Sequence, residues 1–175
     1  MGRLFPGAAV RLGPEASESA FKRAASSYQF LHIATLGVLN KQNPLFSYVA
    51  LRPGGEEDGR LEVHEVLNLS LHSRLVVLSA CQTGLGSGAL GDVPPGDDWV
   101  GLVQAFLYAG SAKVLATAWP IVDRATDPLM RGFYRRLQAG VTEDIALAME
   151  QRAAIADPRL RHPRFWGPFM LTGGR

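Results

Sequence analysis

The sequence predicts an α/β protein with a mostly parallel central sheet and an inserted β-hairpin. Three observations carry this. Short, nearly all-apolar runs at Phe30 to Thr35, Leu75 to Ala80 and Lys113 to Trp119 alternate with segments of helical periodicity. That is how strands buried on both faces under covering helices read. Between the first two runs, Pro53-Gly54-Gly55 and Asp58-Gly59 separate Leu45 to Leu51 from Arg60 to His64, the mark of a hairpin with a polar tip. The chain of 175 residues is long enough for one domain with a single substantial core, spanning 1–175.

The elements follow in order. Ala8 to Leu12 is a weak first strand, and Glu18 to Ser26 a short helix. The Phe30 strand and the hairpin come next, then the Leu75 strand, the most buried by composition. A glycine- and proline-rich segment, Gly84 to Asp97, follows, and loops of that length in a compact domain carry function or motion. Asp98 caps a helix with Trp99, Leu102, Val103, Phe106 and Leu107 on one face, ending at Gly110. After the Lys113 strand, Asp127-Pro128 reads as a helix start, and Leu129, Met130, Phe133, Tyr134 and Leu137 form its apolar stripe. Thr142 caps a last helix to about Ala156, and Phe165 to Leu171 is a final strand, placed at an edge by Pro168.

Composition narrows the function classes. Lys and Arg total 18 against 16 Asp and Glu, a net charge of +2. The late arginines, from Arg131 to Arg164, read as a solvated helix face and a basic loop, because no nucleic-acid motif accompanies them. Neither a nucleic-acid nor a membrane partner is expected. A single cysteine excludes an intrachain disulfide and a cysteine-based zinc site, and it fits a reducing, cytoplasmic location. No signal peptide or membrane-length apolar run is present. The richness in Arg, Gly and Ala points to a bacterial source.

Two strand ends draw attention. Phe30-Leu31-His32-Ile33-Ala34-Thr35-Leu36-Gly37 closes on a glycine, and Leu75-Val76-Val77-Leu78-Ser79-Ala80-Cys81-Gln82-Thr83-Gly84 carries the only cysteine. In open α/β sheets, sites form at the carboxyl ends of the strands. Cys81 therefore stands where a nucleophile is held from behind and reached from in front, although buried cysteines are commonly inert. The Gly37 and Cys81 amides could form an oxyanion hole; a plain tight turn at Gly37 is the simpler alternative. Asp123, after Trp119-Pro120-Ile121-Val122, could bind a basic side chain beside an aromatic wall, or could serve only the start of a helix.

Other motifs carry less. Gly86-Ser87-Gly88-Ala89-Leu90-Gly91 matches GxGxxG, but Asp92-Val93-Pro94-Pro95-Gly96 follows at once and forbids the helix a pyrophosphate site needs. No cofactor is expected. His32, His64, His72 and His162 are scattered without metal-ligand spacing, so no metal is expected either. His32 is four residues before Leu36, about 13 Å away at about 3.3 Å per residue.

Taken together, the chain resembles the CHAT family, the caspase- and separase-like domains of peptidase clan CD. The resemblance rests on Leu31-His32-Ile33-Ala34-Thr35-Leu36-Gly37, Asn43-Pro44, Leu78-Ser79-Ala80-Cys81-Gln82-Thr83-Gly84, Phe106-Leu107-Tyr108-Ala109-Gly110, Ala118-Trp119-Pro120-Ile121-Val122-Asp123, Phe133-Tyr134 and Trp166-Gly167-Pro168-Phe169. It implies a three-layer α/β/α caspase-like sandwich and peptide hydrolysis by a His–Cys dyad. It makes Cys81 the nucleophile, Gly37 and Cys81 the oxyanion amides, and Asp123 the acid that selects a basic residue before the scissile bond.

The chain departs from the family twice. The general-base histidine is replaced by Leu36, which can neither take a proton nor polarise a thiol. Cys81 is then expected near an unperturbed thiol pKa of about 8.5, a few per cent thiolate at neutral pH. By analogy with triad knockouts, losing one dyad member removes on the order of 10³-fold or more of the catalysis. The family's first strand, before Leu4-Phe5-Pro6-Gly7, is also missing, which reads as N-terminal truncation. The expectation is a pseudoenzyme: a peptidase fold with impaired catalysis, acting as an interaction or regulatory module. It would bind a peptide by strand addition in a cleft walled by Trp119 and Asp123, or a separate helical-repeat or sensor protein. The alternative is an active cysteine endopeptidase cleaving after a basic residue, its base being His64, His72 or a partner's group. A deliberately inactivated or shortened chain would read the same way.

Overall fold

The computed structural model describes residues 4–40, 42–79, 81–82, 100–119 and 123–174, with the backbone alone at 81–82, 100 and 123–125. The loop at 84–97, its GxGxxG match and the Asp98 cap lie outside the described residues. The chain forms two compact units: Leu12–Pro120 with Thr172–Arg175, and Met1–Arg11 with Ile121–Leu171.

The larger unit begins with α1 (Glu18–Ala24), capped by the Ser17 hydroxyl, which accepts the Ala20 N–H at 3.3 Å. Strand β1 (Phe30–Ile33) pairs in parallel with β5 (Leu75–Leu78), from Phe30 opposite Leu75 to Ile33 opposite Leu78. Strand β5 pairs in parallel with β7 (Lys113–Thr117). Thr172 and Gly173, at the end of β8 (Phe169–Gly173), extend this sheet beyond β7. The fold is therefore the α/β architecture with a mostly parallel sheet that the alternating apolar runs predict. All four residues of β5 are buried, as a strand covered on both faces requires.

A second sheet, in the order β4-β3-β2-β6, is built from β2 (Leu36–Val38), β3 (Tyr48–Ala50), β4 (Arg60–Glu62) and β6 (Cys81–Gln82). Strands β3 and β4 are the expected hairpin, paired antiparallel from Tyr48 opposite Glu62 to Ala50 opposite Arg60. Gly59 takes a φ of 89° at its turn, where a Cβ would strike Leu51 and Pro53. Gly37, Val49 and Leu61 face inward and are buried, while Leu36, Val38, Tyr48 and Ala50 are only half-buried.

Helix α2 (Val63–Val66) follows β4, and α3 (Val100–Tyr108) precedes β7. One apolar core unites Leu31, Ile33, Val49, Leu61, Val66, Val76, Leu78, Leu102, Phe106 and Val114. Phe106 is fully buried and meets Phe21 edge-on, with ring centroids 6.5 Å apart.

The smaller unit contains α4 (Asp123–Gln138) and α5 (Glu143–Ala156). Gly132 on α4 leaves room for the Glu150 carboxylate of α5, which accepts a hydrogen bond from Arg136 Nε at 2.6 Å. Gln151 donates to the carbonyls of Trp166 and Phe169, each at 3.1 Å, tying α5 to the C-terminal segment.

Several local expectations are corrected. Ala8 to Leu12 forms no strand, and Val10 and Leu12 are 56% and 74% exposed. Helix α4 begins at Asp123 rather than at Asp127-Pro128, so Pro128 lies inside it. Pro128 is the sixth residue of α4, past the first turn whose N–H groups have no helical partner, so it removes one i→i−4 hydrogen bond from the helix. Asp127 is accordingly no cap, and its carboxylate accepts from Arg131 Nε at 2.8 Å one turn on. Pro163–Phe165 is a 3-10 turn, and the last strand starts only after Pro168.

Candidate active site at the ends of two parallel strands

The two motif-bearing segments run side by side through both sheets. In the first sheet Ile33 stands opposite Leu78, and the Ser79 N–H donates to the Ile33 carbonyl at 2.9 Å. Three residues further along each segment the chains pair again in parallel, with Leu36 opposite Cys81 and Gly37 opposite Gln82. Equal spacers thus keep the register across the break. Position 36 and Cys81 are direct neighbours on adjacent strands, about 4.8 Å apart in backbone spacing.

Local bonds hold position 36. The Thr35 hydroxyl donates to the Ala50 carbonyl, fixing the residue before it against β3. Gly37 pairs with Val49 on its other side. Gly37 is therefore a strand residue between two partners and not the apex of a tight turn. Leu36 itself is half-buried.

A charged bracket anchors this small sheet, and sequence reading missed it. Lys22 of α1 places its Nζ 2.7 Å from one carboxylate oxygen each of Glu18, Glu57 and Glu65. Glu18 is completely buried, and its other oxygen accepts the Gly59 N–H at 2.8 Å. Glu65 also reaches back to the Glu62 N–H at 2.8 Å, closing the capping box of α2. One ammonium thus ties α1 to the hairpin tip and to α2. The three carboxylates come close enough to hold a metal ion, but the ammonium already supplies their positive charge.

Burial raises the Glu18 pKa despite the hydrogen bond from Lys22. Burial works against the Lys22 charge, yet its three carboxylate partners outweigh it and raise its pKa. The Lys22 hydrogen bond holds Glu57 below the usual carboxylate range. Only the Glu18–Lys22 spacing of four residues was legible locally; the other two partners are distant in sequence.

The histidines lie elsewhere. His32 is exposed on β1, opposite Val77. The His64 imidazole Nδ1 lies 3.1 Å from Glu62 and 3.4 Å from the Leu45 carbonyl, against the Phe46 ring. It follows β4, three strands across from β6, a separation of about 14 Å or more. His72 is exposed before β5, at the end of that strand remote from Cys81. His162 belongs to the smaller unit, where its ring accepts the Arg164 N–H at 3.2 Å. Trp119 is half-buried just beyond β7 in the larger unit, and Asp123 is the first residue of α4 in the smaller one.

A family model of the CHAT domain matches residues 2–174. The chain belongs to the CHAT domain family. This is a caspase-like family, and the mixed α/β fold with its mostly parallel sheet agrees with it. The chain is also 31% identical over 113 residues to human (Homo sapiens) tetratricopeptide repeat protein 28, an alignment covering 65% of this chain and 4% of that protein. This CHAT domain thus spans a very small part of the length of the curated relative it matches.

Proposed function

We propose that this CHAT domain has lost the general base of its peptidase dyad at Leu36 and works as an interaction or regulatory module. The observation that carries the reading is the register: Leu36 stands opposite Cys81 on the adjacent parallel strand. A histidine at position 36 would start from the backbone next to the nucleophile. Leucine there offers the thiol no proton acceptor. His64 and His72 are too far away to replace it, so the geometry lends the active-peptidase alternative no support.

In this reading Cys81 keeps the nucleophile's place and Gly37 the strand beside it. Asp123 retains the family role of the acid that selects a basic side chain of a bound peptide. The name of the human relative favours a tetratricopeptide-type repeat protein as partner, in the same chain or another. Among the described residues no helix is long and apolar enough to cross a membrane. We place the protein in the cytoplasm on the strength of its single cysteine.

The test is a peptide probe with Arg before a thiol-reactive group. The native chain should be labelled at Cys81 no faster than free cysteine. Leu36→His should accelerate labelling by about 10²-fold or more, the usual contribution of a general base. Rapid labelling of the native chain would establish an active peptidase with another base. No acceleration in Leu36→His would remove the case for a latent dyad.

A further inference from the structure

The chain first passes from one compact unit to the other at the Arg11–Leu12 bond. That bond lies within residues 6–15, the longest unbroken exposed run among the described residues. Each end of the run is anchored in its own unit. Phe5 meets Tyr134 edge-on, with ring centroids 5.7 Å apart. Beyond the run, the Ala16 carbonyl accepts the Arg52 N–H, and the Glu18 N–H donates to the Arg52 carbonyl, each at 3.0 Å. Between the anchors the backbone is open. Among the described residues, the peptide N–H and C=O groups of Ala9, Val10 and Arg11 make no hydrogen bond, and Leu12 is extended at φ −131° and ψ 153°. Exposed backbone of this kind is where proteases nick folded chains.

We propose that the Arg11–Leu12 bond is a processing site for an endopeptidase that reads arginine. Such an enzyme binds its substrate as an extended strand through main-chain hydrogen bonds, and holds the arginine before the cut on a carboxylate. Here the main-chain groups are unengaged and the Arg11 side chain is exposed. The other described arginines differ in one respect: each lies in a helix or strand or has a hydrogen-bonded backbone N–H. Arg52, also exposed, is bridged to Ser17 and precedes Pro53, whose amide has no N–H. The step needs only water. The Arg11–Leu12 C–N bond breaks, Arg11 gains a carboxylate oxygen, and Leu12 keeps the nitrogen as a new amino terminus. The peptide Met1–Arg11 is then held to the smaller unit without a covalent link, through contacts such as Phe5 on Tyr134. The larger unit survives the cut, because α1 keeps its Ser17 cap.

Timed digestion of the native chain by a trace of an arginine-specific endopeptidase, read by intact-mass spectrometry, tests this. The fragment beginning at Leu12 should form at least about tenfold faster than any product of cleavage after another described arginine, since those bonds must open before they are cut. Arg11→Gln should abolish that fragment with the circular dichroism spectrum unchanged. Leu12→Pro keeps the arginine, removes the amide N–H of the cut bond and should abolish the fragment as well. Cleavage after another described arginine as fast as after Arg11 overturns the proposal. So does a native chain that resists cutting at Arg11.

Discussion

The same two stretches of chain pair twice, and the two pairings obey different rules. In the first ladder, β1 against β5, Leu31, Ile33 and the whole of β5 are buried, and nearly every side chain is dictated by packing. In the second, β2 against β6, Gly37 faces the core while Leu36 is half-open. The first ladder fixes register. The second inherits that register and uses it to set position 36 beside Cys81. On the proposed reading, a base can be lost at position 36 without disturbing the fold, because no tightly packed core depends on the side chain there.

Substitutions in each region can break this contrast. Leu78→Ala removes a fully buried side chain from the first ladder and should cost about 3 kcal/mol in urea unfolding. A loss below 1 kcal/mol would mean that this ladder does not hold the register. Lys22→Met should cost about 2 kcal/mol, a figure reduced for partial exposure, because it strands three carboxylates around the hairpin tip and α2.

The Lys22→Met penalty should depend on pH. Glu57 is held below its ordinary value of 4.5, so its stabilisation is complete above that pH and is lost as pH falls through the lower folded-state value. Glu18, raised by burial, has the opposite sign: its protonation on acidification favours the folded state. The gap between native chain and Lys22→Met should therefore narrow in acid. A gap that widened below pH 4.5 would contradict the assignment of Lys22 as the cluster's counter-ion. Thr35→Val loses one hydroxyl bond to Ala50 and should cost about 1 kcal/mol by the same unfolding measurement. An unchanged stability would show that this bond does not pin the second sheet.

Much of the first ladder was legible, because continuous apolar runs such as Leu75–Leu78 announce buried parallel strands. The break after Ile33 was not legible. Ala34 and Thr35 continue the apolar, β-prone run, and only the paired structure shows the chain moving to a second sheet. The start of α4 was misplaced because Asp127-Pro128 is a sound local signal overridden by a turn of helix beginning at Asp123. At the site, Leu36 and Cys81 could each be picked out from its own segment. The resemblance put both positions in one dyad, but the register that sets Leu36 directly opposite Cys81 could not be read, since register between distant segments depends on the whole ladder behind them. The Lys22 bracket was hidden for the same reason: Glu57 and Glu65 are neighbours of Lys22 only after the hairpin folds back.

The most direct test of a dyad broken at position 36 is the pH dependence of Cys81 alkylation by iodoacetamide in the native chain and in Leu36→His. The native chain should titrate as an ordinary thiol, with a midpoint near about 8.5, and Leu36→His should move the midpoint down by at least about one unit. A native midpoint already well below that of a free thiol, unchanged by Leu36→His, would show that Cys81 has another activating partner and would contradict the loss of its base.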